Sequence, residues 1–200
     1  MSLHSFCSAV SMKHVELRDP FWSPVQETVR TEMLPYQWEA LNDRVPNAEP
    51  SWCIHNFEVA AGRKQGRHGG FVFQDSDLAK WLEAVAYTLI RRKDAALEKN
   101  ADETIELICE AQQPDGYMDT YYILNGLEKR FTNLKDNHEL YCLGHMTEAA
   151  VAYYEATGKD RLLKAVVRCV DLVDSLIGPE EGKIPVSYTH LRAHETREDL

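Results

Sequence analysis

The segment DNHELYCLGHMTEAAVAYYEATGKD, residues 136–160, decides the fold of this chain. It begins with Asp136 and Asn137, which are good helix N-caps, and continues with apolar residues at helical spacing. The pattern predicts a helix over about residues 137–156. Within it, the four residues AVAY at positions 150–153 repeat the AVAY of positions 84–87, 66 residues earlier.

Three further features recur at the same offset of 66 residues. They are Lys93-Asp94 with Lys159-Asp160, Leu97 with Leu163, and Gly116 with Gly182. Two copies of a helix–loop–helix–Gly unit indicate stacked helical hairpins, in which each hairpin buries its apolar face on the next. Such hairpins build either an open solenoid or a closed toroid, and the physics of the sequence alone leaves both open.

The remaining chain also favours an all-α fold. Helices are predicted at about 77–92, 95–112 and 159–177, and another at 25–41 that Pro35 should kink or split. The segment VELRDPFWSP reads as a short extended N-terminal piece anchored by Phe21 and Trp22. Residues 43–72 read as a long loop with one helical turn near 57–61, and loops of this length are often functional.

Composition restricts the class of partner. The formal net charge is −10 and no cluster of basic residues alternates with aromatic ones, which argues against nucleic acid and anionic membranes. No apolar run approaches the roughly 20 residues needed to span a bilayer. The N-terminus lacks the pattern of a signal peptide, and the five cysteines are scattered. We therefore predict a cytoplasmic protein with reduced, mostly buried thiols.

Two helix starts offer candidate site residues. His138 and Glu139 fall in the first turn of the helix after Asp136. The backbone N–H groups there have no partner within the helix, so this helix end could line a site. Asp75 precedes a helix that Ser76 or Asp77 could cap, so its carboxylate could point off the end and hold a sugar hydroxyl or a base. The alternative is that these acidic residues only cap helices and complement their dipoles.

Other chemistry is less well supported by the residues. Several aromatic residues could stack on a sugar ring or simply belong to the core: Trp81, Tyr117, Tyr121, Tyr122 and Phe131. His138, Cys142 and His145 lack the spacing of a zinc motif, and Cys142 falls inside a helix rather than at an activating N-terminus. We therefore expect no metal site and no nucleophile in this chain.

Six motifs in order resemble glycoside hydrolase family 127. They are PFWSP, LPYQWEALND, VFQDSDLAKWLEAVAY, AQQPDGYMDTYY, DNHELYCLGHMTEAAVAYYEATG and GPEEGKIP, and the similarity covers about residues 14–185. The resemblance implies an (α/α)6 toroid, of which this chain holds about half of the helical hairpins, followed by β-sandwich domains. It also implies a bacterial enzyme that releases non-reducing-end β-L-arabinofuranose from an arabinose-containing oligosaccharide or glycan with retention of configuration.

The resemblance also implies where the catalytic groups lie. Members use a cysteine thiolate as nucleophile, a glutamate as general acid/base, and a zinc ion held by cysteines and a glutamate, all beyond residue 200. None of the five cysteines here matches them, so zinc is expected only in a full-length member. His138 matches the histidine of the family's H-E-x-Y motif. Phe73 and Asp75 fall in a matching loop near the pocket, and Glu139 would help to shape it.

The last residues depart from the family pattern. VSYTHLRAHETREDL, residues 186–200, resembles a translated vector read-through, so we assign residues 1–185 to the catalytic domain and 186–200 to a non-native tail. We expect the isolated chain to be marginally stable or aggregation-prone, and inactive as a hydrolase. The rival interpretations are a helical-repeat binding module without chemistry, and another (α/α)6 sugar enzyme such as an unsaturated-uronyl hydrolase or a lyase.

Overall fold

The computed structural model describes residues 10–185, and within them the chain is helical. The α-helices are α1 (Trp22–Thr28), α2 (Leu34–Leu41), α3 (Cys53–Ala60), α4 (Asp75–Arg91), α5 (Ala95–Ala111), α6 (Thr120–Asn125), α7 (Glu139–Thr157) and α8 (Arg161–Leu176). The single β-pairing in this part of the chain is a bridge between Ile177 and Ile184. The predicted tail, residues 186–200, lies outside the described residues, so its foreign origin stays a prediction.

The internal repeat is present in the structure. Helices α4 and α7 end 66 residues apart, and α5 and α8 begin 66 residues apart. Gly116 and Gly182 both adopt positive φ, at 101° and 89°. The equivalent loops differ in one respect, because Asp94 caps α5 by accepting a hydrogen bond from the Leu97 amide, whereas Asp160 makes no such bond to α8. The chain therefore contains two successive helical hairpins, α4–α5 and α7–α8.

Helices α4 and α7 form the most extensive interhelical contact, and α5 and α8 pack behind them. Small residues at the contact, such as Ala79, Ala86, Ala149 and Ala150, are fully or almost fully buried and let the two backbones approach. Larger apolar residues fill the space around them: Leu78, Leu82, Val85, Met146 and Tyr153. Burial of these side chains is the main stabilising term for the paired hairpins.

The N-terminal helical segment is split, as Pro35 predicts. A single π-helical turn, Val29–Met33, separates α1 from α2, and Pro35 lies in the first turn of α2. Proline has no amide hydrogen and its ring clashes with the carbonyl four residues earlier, so a regular helix does not pass through it. The amide of Leu34 bonds to the carbonyl of Val29, five residues earlier, which is the π-helical pattern.

The predicted anchors of the N-terminal segment are wrong. Phe21 and Trp22 are 66% and 53% exposed. The segment is fastened instead through α2, where the rings of Trp38 and Trp81 stack at 4.8 Å. The indole Nε1 of Trp81 also donates a hydrogen bond of 3.1 Å to the carbonyl of Leu34.

The long loop after α2 contains more helix than the sequence pattern indicates. Helix α3 spans eight residues rather than one turn near 57–61. Asn56 on α3 is buried, and its amide makes two hydrogen bonds of 2.9 Å with the backbone of Gly69. The rest of the loop is therefore fixed to α3.

Four apolar side chains on α7 and α8 remain exposed: Val151, Tyr154, Val167 and Val170. A further packed hairpin would cover such a face in a repeat protein. No helix in residues 10–185 combines the length and the apolar character that crossing a membrane requires.

Candidate active-site rim

The structure brings His138 and Phe73 together. Phe73 lies two residues before α4 and His138 lies directly before α7, so the pairing of α4 with α7 places both residues at one rim. Their ring centroids are 5.3 Å apart, with an interplanar angle of 73°. This is the edge-to-face arrangement that aromatic rings prefer. Both side chains remain partly exposed, so they can contact a ligand.

The loop that carries Phe73 is held from two sides. Besides the bonds from Asn56, Gly69 lies directly against the indole of Trp52, and a Cβ at this position would clash with that ring. Gly70 adopts φ 77°, a conformation that L side chains rarely adopt. The glycines therefore let the loop pass close to α3 before it turns into α4.

The backbone of His138 is unusual. It adopts φ 55° and ψ 22°, in the left-handed region, and neither its side chain nor a neighbouring one caps α7. The predicted capping by Asp136 and Asn137 is therefore wrong, and the Asn137 amide donates to the hydroxyl of Tyr122 instead. A positive φ in a residue other than glycine is uncommon and concentrates at functional sites. This geometry turns the imidazole towards Phe73.

Asp75 does not point off the end of α4, contrary to the prediction. It is the first residue of that helix and is buried, and no side chain caps the helix. Its Oδ2 accepts a 2.7 Å hydrogen bond from the amide of Thr120, and its Oδ1 accepts a 2.5 Å bond from the Thr120 hydroxyl. The carboxylate therefore fastens the start of α6 to the start of α4.

Glu139 is likewise turned inwards. Its Oε1 accepts a 2.5 Å hydrogen bond from the hydroxyl of Tyr117, and its Oε2 accepts a 2.9 Å bond from the amide of Phe131. Phe131 also adopts positive φ, at 59°. Glu139 thus holds the loop between α6 and α7 from below.

Most of the aromatic residues considered for sugar stacking belong to the core. Trp81, Tyr117, Tyr122 and Phe131 are buried, which favours the structural alternative for them. Tyr121 is half-buried and packs edge-on against His68 at 5.1 Å. Phe71 and Tyr141 also line the rim, through ring contacts with Phe73 and His138, and the sequence pattern did not single them out.

A small cluster of buried acids lies beneath the rim. Asp75, Asp119 and Glu139 border a cavity of about 20 Å³. Burial raises the pKa of all three carboxyl groups above the ordinary values, and that of Asp75 to about 6. Asp119 also caps α6, by accepting a hydrogen bond from the Tyr122 amide. The sequence analysis missed Asp119, although an acidic residue before Thr120-Tyr121-Tyr122 is a recognisable N-cap pattern.

The described cysteines are mostly buried. Cys53, Cys142 and Cys169 are buried, Cys109 is partly exposed, and all four are free thiols. Burial raises the pKa of each thiol, that of Cys169 to about 12, so the nucleophilic thiolate form is disfavoured.

In the part of the chain that the structure describes, one set of three side chains has metal-ligand spacing. It consists of Glu83, His145 and Glu148, with ligand atoms within 4.8 Å of one another, and it includes none of the cysteines. This differs from the combination of His138, Cys142 and His145 that the sequence analysis considered.

Comparison with known proteins identifies the family. The sequence model described as the β-L-arabinofuranosidase GH127 catalytic domain matches residues 14–196. The chain belongs to glycoside hydrolase family 127. This match extends past Pro185 into the segment predicted to be foreign.

Individual relatives of this family 127 chain support the same assignment. It is 39% identical over 187 residues to the non-reducing end β-L-arabinofuranosidase of Bifidobacterium longum subsp. longum, covering 86% of this chain and 28% of that protein. A family 127 β-L-arabinofuranosidase from Geobacillus stearothermophilus T6 matches with a TM-score of 0.84 and 56% identity, over 86% of this chain and 27% of that one.

A second solved family 127 β-arabinofuranosidase matches with a TM-score of 0.77 and 29% identity, over 88% of this chain and 28% of that one. The family 127 chain thus spans between a quarter and a third of the length of these relatives. The expected fold class, the helical part of an (α/α)6 toroid, is confirmed.

Proposed function

We propose that this family 127 chain supplies part of a pocket that binds the non-reducing-end β-L-arabinofuranose of an arabinose-containing glycan or oligosaccharide. The observation that carries the proposal is the contact between His138 and Phe73 at one rim, in a chain that is 56% identical to a β-L-arabinofuranosidase. A toroidal enzyme gathers such loops around one opening, whereas a binding solenoid would spread them along a face.

The two rim residues would act in different ways. The imidazole of His138 can donate one hydrogen bond and accept another, which suits a sugar hydroxyl. The ring of Phe73 offers an apolar surface to the C–H groups of the sugar and fixes the orientation of the imidazole through their edge-to-face contact. Asp75 and Glu139 would act indirectly, by holding the loops that carry the rim.

The overall reaction would be glycoside hydrolysis with retention of configuration, and the groups that perform it would lie outside this chain. The burial of three of the four described thiols supports this, because burial raises the pKa of a thiol and a cysteine nucleophile needs its thiolate. We therefore infer that the 200-residue polypeptide does not hydrolyse arabinofuranosides by itself. An acidic sugar would need converging Arg or Lys side chains, and the segments that form the rim offer few, which argues against a uronyl hydrolase or lyase.

Ligand-detected NMR on the 200-residue protein tests the binding part of the proposal. Saturation transfer to methyl β-L-arabinofuranoside should be observed with the wild type and should fall at least about fivefold with His138→Ala, because a hydrogen bond to the sugar is lost. His14→Ala is the matched control, because His14 is an exposed histidine near the N-terminus, far in sequence from His138. Equal transfer with His138→Ala and the wild type would contradict the proposed role.

A second measurement tests the catalytic part. Purified 200-residue protein is incubated with p-nitrophenyl β-L-arabinofuranoside, and no nitrophenol release above the buffer rate is expected. Sustained release that scales with protein concentration would show that the chain contains its own catalytic groups.

A further inference from the structure

Phe71 is an exposed aromatic residue beside the rim. Its side chain is 67% exposed, yet its ring lies parallel to that of Phe73, with an interplanar angle of 1° and centroids 5.2 Å apart. Single exposed apolar residues are common on protein surfaces and need no explanation. Phe71 differs from them because its ring stacks on Phe73, which in turn contacts His138.

The backbone beneath Phe71 is held in place. The amide of Phe71 donates a 3.2 Å hydrogen bond to Oε1 of Gln74, a buried side chain. Nε2 of Gln74 in turn donates a 2.9 Å bond to Oδ2 of Asp77 on α4. The ring is thus presented to solvent by a fixed turn, and ordering it on binding a ligand costs less entropy than ordering a mobile loop.

We propose that Phe71 is a stacking platform for the sugar that follows the terminal arabinofuranose, so that the rim recognises at least a disaccharide. This inference rests on the proposed function, in which His138 and Phe73 hold the terminal sugar. The centroid of Phe71 lies 5.2 Å from that of Phe73, and the centroid of Phe73 lies 5.3 Å from that of His138, so Phe71 lies next to the residues that would hold the terminal sugar.

The chemistry of Phe71 determines what it recognises. A phenyl ring offers a flat apolar face without a hydrogen-bond donor or acceptor, so it stacks on the C–H face of a sugar and does not read individual hydroxyl groups. Such a platform gives affinity for a neutral sugar ring and tolerates variation in its hydroxyl pattern. His138 would recognise the terminal sugar through hydrogen bonds, and Phe71 would favour ligands that carry a second sugar ring.

The test compares two ligands by NMR titration of the 200-residue protein. They are methyl β-L-arabinofuranoside and a methyl disaccharide that carries a terminal β-L-arabinofuranose. The wild type should bind the disaccharide about threefold to tenfold more tightly, the gain expected of one aromatic stacking contact. Phe71→Ala should remove this gain and leave the affinity for the monosaccharide unchanged, whereas Phe71→Trp should retain it.

Phe21→Ala is the matched control, because Phe21 is 66% exposed and belongs to a different part of the chain. It should alter neither affinity. An unchanged ratio of the two affinities in Phe71→Ala would overturn the inference while leaving the proposed function intact. A lower melting temperature of Phe71→Ala together with an unchanged ratio would mean that the ring has a packing role only. If the wild type binds neither sugar, the proposed function itself fails and this inference fails with it.

Discussion

Asp75 and Thr120 lie 45 residues apart in the sequence, and the carboxylate of Asp75 accepts hydrogen bonds from both the amide and the hydroxyl of Thr120. The first residue of α4 is thereby joined to the first residue of α6. Both groups are buried, so the contact is shielded from water and strongly directional. Asp75 therefore determines where the chain between α5 and α7 lies relative to the rim.

Thr120→Val should destabilise the protein by about 1–3 kcal/mol, because the buried Oδ1 of Asp75 loses the hydroxyl that satisfies it. Urea unfolding followed by circular dichroism measures the change. Thr147→Val is the matched control, since the hydroxyl of Thr147 bonds only to a carbonyl in its own helix, that of Leu143. Equal losses in the two variants would show that the link between α4 and α6 is not important for stability.

The stability of the protein should depend on pH through Asp75. Its pKa in the folded chain is about 6, above the ordinary value of 3.8, because burial disfavours the charged form. Between about pH 4 and pH 6 the folded state therefore holds a proton that the unfolded state has released. This contribution to stability is complete below 3.8, the pKa of Asp75 in the unfolded chain, and is lost as the pH rises through 6.

Between pH 4.5 and pH 7 the free energy of unfolding should fall by on the order of 2 kcal/mol from this group. Asp75→Asn removes the titrating group, so the free energy of unfolding should fall less between pH 4.5 and pH 7 in this variant than in the wild type. Asp77→Asn, on the exposed side of the same helical turn, should keep the wild-type dependence. Parallel pH profiles for the wild type and Asp75→Asn would contradict the prediction. Urea titrations at several pH values give these profiles.

The repeat supplies a matched pair of glycine substitutions. Gly116 and Gly182 are equivalent and both adopt positive φ, but a Cβ at Gly116 would lie 2.6 Å from the carbonyl oxygen of Arg168 on α8, whereas one at Gly182 would meet nothing within 4 Å. Gly182→Ala should cost about 1–2 kcal/mol from backbone strain alone. Gly116→Ala adds the steric clash and should cost about 2–5 kcal/mol.

Thermal unfolding of the two glycine variants checks this difference. The melting temperature of Gly116→Ala should fall well below that of Gly182→Ala. Similar melting temperatures would mean that α8 moves aside easily, and that the turn before α6 is not fixed against it.

The helices were predictable because their signals are local. The spacing of apolar residues and the 66-residue offset located α4, α5, α7 and α8 to within two residues. The capping residues of α4 and α7 were predicted incorrectly because N-cap rules expect a capping side chain, and neither Gln74 nor His138 supplies one. Helix α3 was predicted too short because eight residues are too few to establish a helical spacing of apolar residues.

The candidate site was less predictable, because it depends on contacts between distant segments. The family resemblance identified His138 and Phe73, and they lie together. Asp75 and Glu139 were expected at the rim because each precedes or begins a helix. Their real partners, Thr120 and Tyr117, lie 45 and 22 residues away, and no sequence pattern connects them.

Tyr117 and Glu139 should contribute to stability as one hydrogen-bond network, which also holds the loop before α7 through the amide of Phe131. Tyr117→Phe removes the donor to Oε1 of Glu139, and Glu139→Gln places an amide near the amide of Phe131, so each variant should lose about 1–2 kcal/mol. Because both changes disrupt one hydrogen-bond network, the double variant should lose less than the sum of the two single losses, by about 1 kcal/mol. Tyr36→Phe, at an exposed tyrosine, should have no effect.

Urea unfolding gives this coupling energy, and hydrogen exchange locates it. The amide of Phe131 donates to Glu139, so its exchange should quicken in both single variants, while amides in the middle of α5 should retain their protection. Strictly additive losses, with unchanged exchange at Phe131, would show that Tyr117 and Glu139 stabilise the protein independently. The expected result would show that the loop leading to His138 is held by a buried carboxylate beneath it.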